Sequence, residues 1–259
     1  MSKYGAVAWL AARQGFAARG AILGRVGFYW VIMLIFSRLW VAVAPETRGE
    51  MGRAVEYVWY LAITELVALG VPMLYLGIEQ DVRRGDIAYR LGRPISYAWA
   101  KLAEGVGEFA VRFAFLATIG MAGAWLFAGG LPADPRGLAW AVPLAFLAGL
   151  MMLVIQTMIG LSAFWLQDAA PVYWIMQKFL FIFGGLMIPL SIYPDWLHSV
   201  ADFTPFSAAL YGCGRLVLHY DPVLALDTAW RLIAWTVLLG ALLTWVYRRS
   251  LTALTVNGG

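Results

Sequence analysis

Residues 138–166 read LAWAVPLAFLAGLMMLVIQTMIGLSAFWL, beginning at Leu138-Ala139-Trp140 and running to Leu166 without a charged side chain. A helical bilayer crossing needs about 20 mainly apolar residues, and this stretch exceeds that. It is apolar all round, as a lipid-facing helix must be, and lacks the short alternating segments of a membrane β-barrel. Five further stretches qualify: about 27–44, 55–78, 106–128, 172–190 and 226–247. Of the 259 residues, 62% are apolar and only 13% charged, against about 25% charged in a soluble domain. With a mean hydropathy of +0.74, this excludes an ordinary soluble enzyme, a disordered chain and a fibrous repeat. Cys213 is the single cysteine, so neither an internal disulfide nor an all-cysteine metal site exists.

Orientation follows from the basic residues, 19 against 15 acidic ones. Lys3, Arg13, Arg19 and Arg25 precede the first span, Arg83, Arg84, Arg90, Arg93 and Lys101 follow the second, and Arg248 and Arg249 follow the last. The alternate loops hold only Arg48 and Arg53, then Arg136, then Arg215. The positive-inside rule therefore puts both termini in the cytoplasm, which an even number of spans requires. The leader, residues 1–26, is modestly amphipathic and too polar to span, and is expected as a helix in the cytoplasmic interface. Ala42-Val43-Ala44 mimics a signal-peptide cleavage site, but the charged region is too long and Pro45 would follow the cut.

Residues 184–225 are interrupted by Gly184-Gly185, Pro189, Pro194, Pro205, Gly212 and Gly214, yet carry Trp196, Leu197, Phe203, Phe206, Leu210 and Tyr211. Non-helical backbone survives at membrane depth only under cover of protein or in a water-filled cavity. The expectation is a re-entrant pair of helices, about 192–203 and 205–218, dipping from the outer face within a segment 191–218. A loop lying flat in the headgroups is the alternative.

No Walker A pattern surrounds Lys3, Lys101 or Lys178, and His198 and His219 are the only histidines. Catalytic and metal sites find no support, and nothing in the charge pattern calls for nucleic acid. The most informative polar segment is Gly77-Ile78-Glu79-Gln80-Asp81-Val82-Arg83-Arg84-Gly85-Asp86-Ile87-Ala88-Tyr89-Arg90-Leu91-Gly92-Arg93-Pro94-Ile95. It predicts a short helix, a turn at Gly85 and a second short helix ended by Arg93-Pro94. Ile78, Val82, Ile87 and Leu91 are expected as apolar anchors, ringed by charge, on a protein-docking surface; a solvated connector is the alternative.

The Ile87…Leu91-Gly92-Arg93-Pro94-Ile95 stretch resembles the cytoplasmic signature of the ABC-2 type permeases, membrane subunits of ATP-binding-cassette exporters. Phe183-Gly184-Gly185-Leu186-Met187-Ile188-Pro189-Leu190…Tyr193-Pro194-Asp195-Trp196-Leu197, followed by Thr204-Pro205-Phe206, resembles that family's segment after span five. The resemblance covers nearly the whole chain and implies an all-α membrane protein: six transmembrane helices, a cytoplasmic interfacial elbow helix and a re-entrant hairpin before the last span, in one domain over residues 1–259. It implies that residues 79–93, with Glu79, Asp81, Arg83, Arg84, Asp86, Arg90 and Arg93, form the coupling segment received by a cytoplasmic ATPase. It further implies two ATPases and a second permease, identical or related, in a bacterial cytoplasmic (inner) membrane. ATP and Mg would sit on the partner ATPase, with no cofactor in this chain. Membrane lipids are the remaining partner, and the substrate stays open.

Glu65, in the middle of span two, is costly there unless it finds water or a partner such as Arg38. Two readings stand: a structural hydrogen-bonding group, or a residue of the translocation path together with Phe203 and Phe206. Glu108 and Arg112 are spaced for an i,i+4 pair. Gln156, Gln167, Asp168 and Lys178 flank the inner ends of spans four and five and are expected as a polar ring or a second ATPase contact. A lipid-modifying membrane enzyme would need a cluster of acids or histidines. An ion-coupled secondary transporter, with Glu65 as its coupling acid, would favour an internal repeat. Neither is apparent.

Overall fold

The computed structural model describes residues 3–17, 19–43 and 54–257, and every regular element among them is helical. Helix α1 (Lys3–Ala17) precedes α2 (Arg19–Val43) and α3 (Ala54–Gly70). The charged pair α4 (Leu74–Arg83) and α5 (Asp86–Leu91) follows, then α6 (Tyr97–Phe115), continued through a π-helical turn at Leu116–Gly120 into α7 (Met121–Ala128). Next come α8 (Pro135–Leu161), α9 (Ala163–Leu166) and α10 (Ala170–Gly184). The chain ends with the short helices α11 (Asp195–Asp202), α12 (Pro205–Ala209) and α13 (Tyr211–Leu218), and with the long α14 (Pro222–Asn257).

Five stretches among the described residues are long and apolar enough to cross a bilayer: Gly20–Leu39, Glu56–Arg83, Tyr97–Ala128, Pro135–Leu166 and Pro222–Thr252. The sixth expected span, about 172–190, contains α10, whose 15 residues reach about 22 Å at 1.5 Å per residue. That falls short of the roughly 30 Å hydrocarbon core. Gly185, at φ 63°, ends it in the left-handed region that favours glycine. Two boundaries also move. Span two is broken at Val71–Met73, where Pro72 cannot donate to the helix ladder. The leader is shorter than 1–26, because α2 already begins at Arg19. The basic residues Arg48 and Arg53, with Ala44 of the cleavage-like triplet, lie outside the described residues.

Helix α3 is the centre of the bundle. Trp59, Leu61, Ile63 and Leu66 are buried on all its sides, against Tyr29 and Met33 of α2, the π-helical turn, and α8 and α13. Close approaches use missing side chains, as interhelical packing in a membrane favours. A Cβ on Gly149 of α8 would fall 2.0 Å from the Phe109 ring, and one on Gly107 of α6 would fall 2.0 Å from the Ala8 carbonyl. Gly107 thus lets α1 run alongside α6, from Tyr4, whose hydroxyl accepts from the Ser96 amide, to Phe16 against Phe115. The outward faces of α2, α10 and α14 carry exposed Phe28, Val31, Ile35, Trp174, Ile175, Trp230, Val237 and Trp245, the surface that lipid covers.

Candidate functional site: the charged elbow below the bundle

Helix α4 carries the charges of the sequence-predicted coupling segment out of the bundle, and the segment folds as helix, turn and helix. Gly85, at φ 75°, makes the turn, and Asp86 opens α5. The expected apolar anchors do not face outward. Ile78 and Ile87 are buried, at 0% and 3% exposure, while Val82 and Leu91 pack against the same core. Periodicity told that these residues share a face but not which side it meets, and hydrophobic cover drew the face inward. What remains outside is a polar row: Arg83, Arg84, Asp86 and Arg93 are exposed, together with Tyr89 at 75%.

Two carboxylates of the segment point the other way. Asp81 is buried and receives the Tyr97 hydroxyl at 2.7 Å, Lys101 Nζ at 3.2 Å and Arg90 Nη2 at 3.3 Å. Lys101, itself buried, also meets Glu104 Oε2 at 3.1 Å. Glu79 accepts from Arg83 at 3.2 Å and, through its second oxygen, from the Ala169 amide at 3.2 Å. The Tyr97 amide donates to the Tyr247 hydroxyl at 3.2 Å. The elbow is therefore wired to the start of α6 and to the turn between α9 and α10, and Tyr97 of α6 in turn reaches α14. Each buried charge of the elbow is paired, the condition under which a charge survives desolvation. Sequence reasoning missed Tyr97, Tyr247 and the role of Lys101. The available signal was one lysine inside an apolar helical run, three residues before Glu104.

The second expected site divides. Glu65 on α3 is 3% exposed, and Tyr29 of α2 is its electrostatic neighbour. Arg38 is exposed, and among the described residues Glu65 has no hydrogen-bond or ion-pair partner. Phe206 of α12 meets Phe179 of α10 at a ring separation of 6.4 Å, while Phe203 is 83% exposed. The structure does not gather these three residues around one cavity. It does show what secures the broken segment after α10. Tyr60 of α3 donates to the Gly185 carbonyl, and Thr64, one turn later, donates to the Leu186 carbonyl at 2.8 Å. Non-helical backbone beside the bundle centre thereby keeps its hydrogen bonds. Beyond it, Arg231 holds Asp202, Arg215 holds Asp227, and burial pushes the Cys213 thiol up to about 12.

Compared with known families, residues 51–258 match the profile described as ABC-2 family transporter protein. The chain belongs to this family. Neither the curated proteins nor the solved structures contain a match to it. Membership makes this a multi-pass membrane protein and the permease component of an ABC transporter, a transport subunit in a family that is generally not catalytic. It also implies an ABC ATPase as partner.

Proposed function

We propose that this chain is the permease half of an ABC exporter, with residues 79–93 as the segment pushed by its ATPase. The observation that supports this best is the division of labour in the elbow. Arg83, Arg84, Asp86 and Tyr89 are exposed on the outward side, Arg83 while holding Glu79, and Glu79, Asp81 and Arg90 are tied inward to α6 and the α9–α10 turn. A displacement applied to the outer row has charged, hydrogen-bonded links by which to move α6, α10 and α14. Gln167 and Asp168, exposed beside that turn, give the ATPase a second contact. Two ATPases closing on ATP and Mg would drive two permeases, identical or related, so that the cavity between them changes the side it faces. This chain contributes no bond chemistry.

In this reading the chain crosses the bacterial inner membrane six times, with both termini inside. Helix α10 and the segment held by Tyr60 and Thr64 together make the fifth crossing. Helix α1 lies at the cytoplasmic interface, and residues 191–218 form an outer re-entrant lid, with exposed Phe203 meeting lipid or the second permease. Glu65 belongs to the wall between α2 and α3. The test is capture of the ATPase by detergent-solubilised permease. The double variant Arg84→Glu/Tyr89→Ala changes two exposed side chains and touches none of the buried pairs. It is expected to weaken capture about tenfold, as loss of an aromatic or arginine anchor does, with insertion unchanged. Undiminished capture by a correctly inserted variant would remove the elbow from the interface.

A further inference from the structure

Beyond the coupling face, a space opens between α1 and the α5–α6 turn. A cavity of about 80 Å³ lies there, walled by Val7 of α1, Ile95 and Ala100, with Arg90, Arg93 and Lys101 supplying its charge. We propose that it is a binding site for an anionic phospholipid, whose phosphate meets the basic rim and whose first apolar segment enters the cavity. The proposal rests on the reading above only in placing this elbow at the cytoplasmic membrane surface.

Charge complementarity selects the occupant. Lys101 and Arg90 are spoken for by Asp81, and Lys101 also by Glu104, the one acid on the lining. That leaves two cations at the rim with no carboxylate partner among the described residues. Arg93 has its guanidinium 5.3 Å from the centre of the Tyr89 ring, and Lys3 Nζ donates to the Pro94 carbonyl at 3.4 Å. They come from two elements: Arg93, from the turn, lines the cavity, and Lys3, from α1, is held beside it at Pro94. A basic pocket between helices on the cytoplasmic side is the arrangement that takes a lipid phosphate. The walls argue for a lipid rather than a free anion, since Val7, Ile95 and Ala100 offer it no donor. Helix α1 also exposes Trp9, Leu10 and Phe16, at 63%, 56% and 48%, with exposed Arg13 among them, a mixed face suited to acyl chains beneath anionic headgroups. Bound there, a lipid would tie α1 to the turn that carries the coupling segment.

The experiment is native mass spectrometry of the full chain in detergent, titrated with phosphatidylglycerol, phosphatidylcholine or inorganic phosphate. Phosphatidylglycerol is expected to give a saturable one-to-one adduct, with phosphatidylcholine binding at least about tenfold more weakly, because its choline cation neutralises its phosphate and meets the basic rim as a like charge. The double variant Lys3→Gln/Arg93→Gln removes the rim, and Ala100→Leu fills the cavity while leaving every charge. Each is expected to lose the adduct, whereas Arg84→Gln, which removes a nearby charge outside the cavity, keeps it. Equal weakening by Arg84→Gln, or an adduct undisturbed in Ala100→Leu, would show diffuse attraction and overturn the site. Inorganic phosphate displacing the lipid at equal concentration would overturn the lipid in favour of a free anion. No ATPase is present in this measurement, so its failure leaves the permease reading standing. Capture of the ATPase, run on wild type, tests that reading separately.

Discussion

At the scale of single residues, the buried acids Asp81 and Glu65 behave in opposite ways, because the first is paired and, among the described residues, the second is not. Asp81 has three donors around it. Lys101→Met would leave Asp81 short of a cation and Glu104 unpaired, and breaking a buried pair from one side costs about 3–5 kcal/mol. Thermal unfolding in detergent should show that loss, and Asp81→Asn added to Lys101→Met should recover part of it, since the uncompensated charge is then gone. Glu65 has no such partner among the described residues, so replacing it with an apolar residue of similar size removes a carboxyl whose burial no hydrogen bond or ion pair there offsets. Glu65→Leu is expected to raise stability by about 1–3 kcal/mol on the cost of an unsatisfied buried group, with transport retained. A folded Glu65→Leu or Glu65→Gln chain that no longer transports would place Glu65 in the translocation path instead. Cys213 offers a simpler check. With its thiol pushed up to about 12 by burial, little thiolate exists at neutral pH, so maleimide should label it only after unfolding and labelling of the native chain should stay slow as pH rises to 9.

At the scale of elements, the break after α10 depends on α3. Thr64→Val deletes the donor to the Leu186 carbonyl, and leaving a buried acceptor unmet costs about 1–3 kcal/mol. Gly185→Ala strains the same place, since a left-handed conformation costs an L residue about 1–2 kcal/mol and the new Cβ would sit 3.1 Å from the Ile188 carbonyl. Both variants should speed amide hydrogen exchange over residues 185–192, with exchange in α8 unchanged; unchanged protection of 185–192 in Thr64→Val would mean that this hydrogen bond does not hold the segment. The position of the break was legible in Gly184-Gly185 and Pro189, because those residues act through their own backbone. The partners were not, because Tyr60 and Thr64 lie more than 120 residues away inside a helix whose apolar pattern conceals them. The elbow shows the same division. Gly85 and Arg93-Pro94 announced the turn and the stop, while the inward direction of Ile78 and Ile87 and the pairing of Asp81 with Lys101 arise only when α4 packs on α8 and α6. The π-helical turn at Leu116–Gly120 left no mark in the sequence; its Ile119 carbonyl accepts from the Trp30 indole at 3.1 Å, so it depends on a partner in α2.

At the scale of the whole molecule, the number of crossings decides where the C-terminus lies. Five helices are long and apolar enough to span, and an odd count would put the two ends of the chain on opposite sides of the membrane. An even count needs α10 and its continuation to cross. Helix α10 supplies about 22 Å from its 15 residues. The remaining 8 Å or so of a roughly 30 Å core falls to Gly185–Pro189, whose carbonyls at Gly185 and Leu186 are satisfied by Tyr60 and Thr64. That satisfaction is what polar backbone requires in order to stay at such depth. The placement of charge points the same way. Arg248 and Arg249 are exposed near the end of α14, and an outside location would set them against the positive-inside bias that the elbow arginines follow. A single cysteine at position 252, in a Cys213→Ser background, separates the two counts. With six crossings it labels with a membrane-impermeant thiol reagent only after the cytoplasmic side is opened, as position 84 should, while position 134 labels from outside. Labelling of 252 from outside in intact cells, with 84 still protected, would leave five crossings and return α10 to the inner leaflet as a helix that dips without crossing.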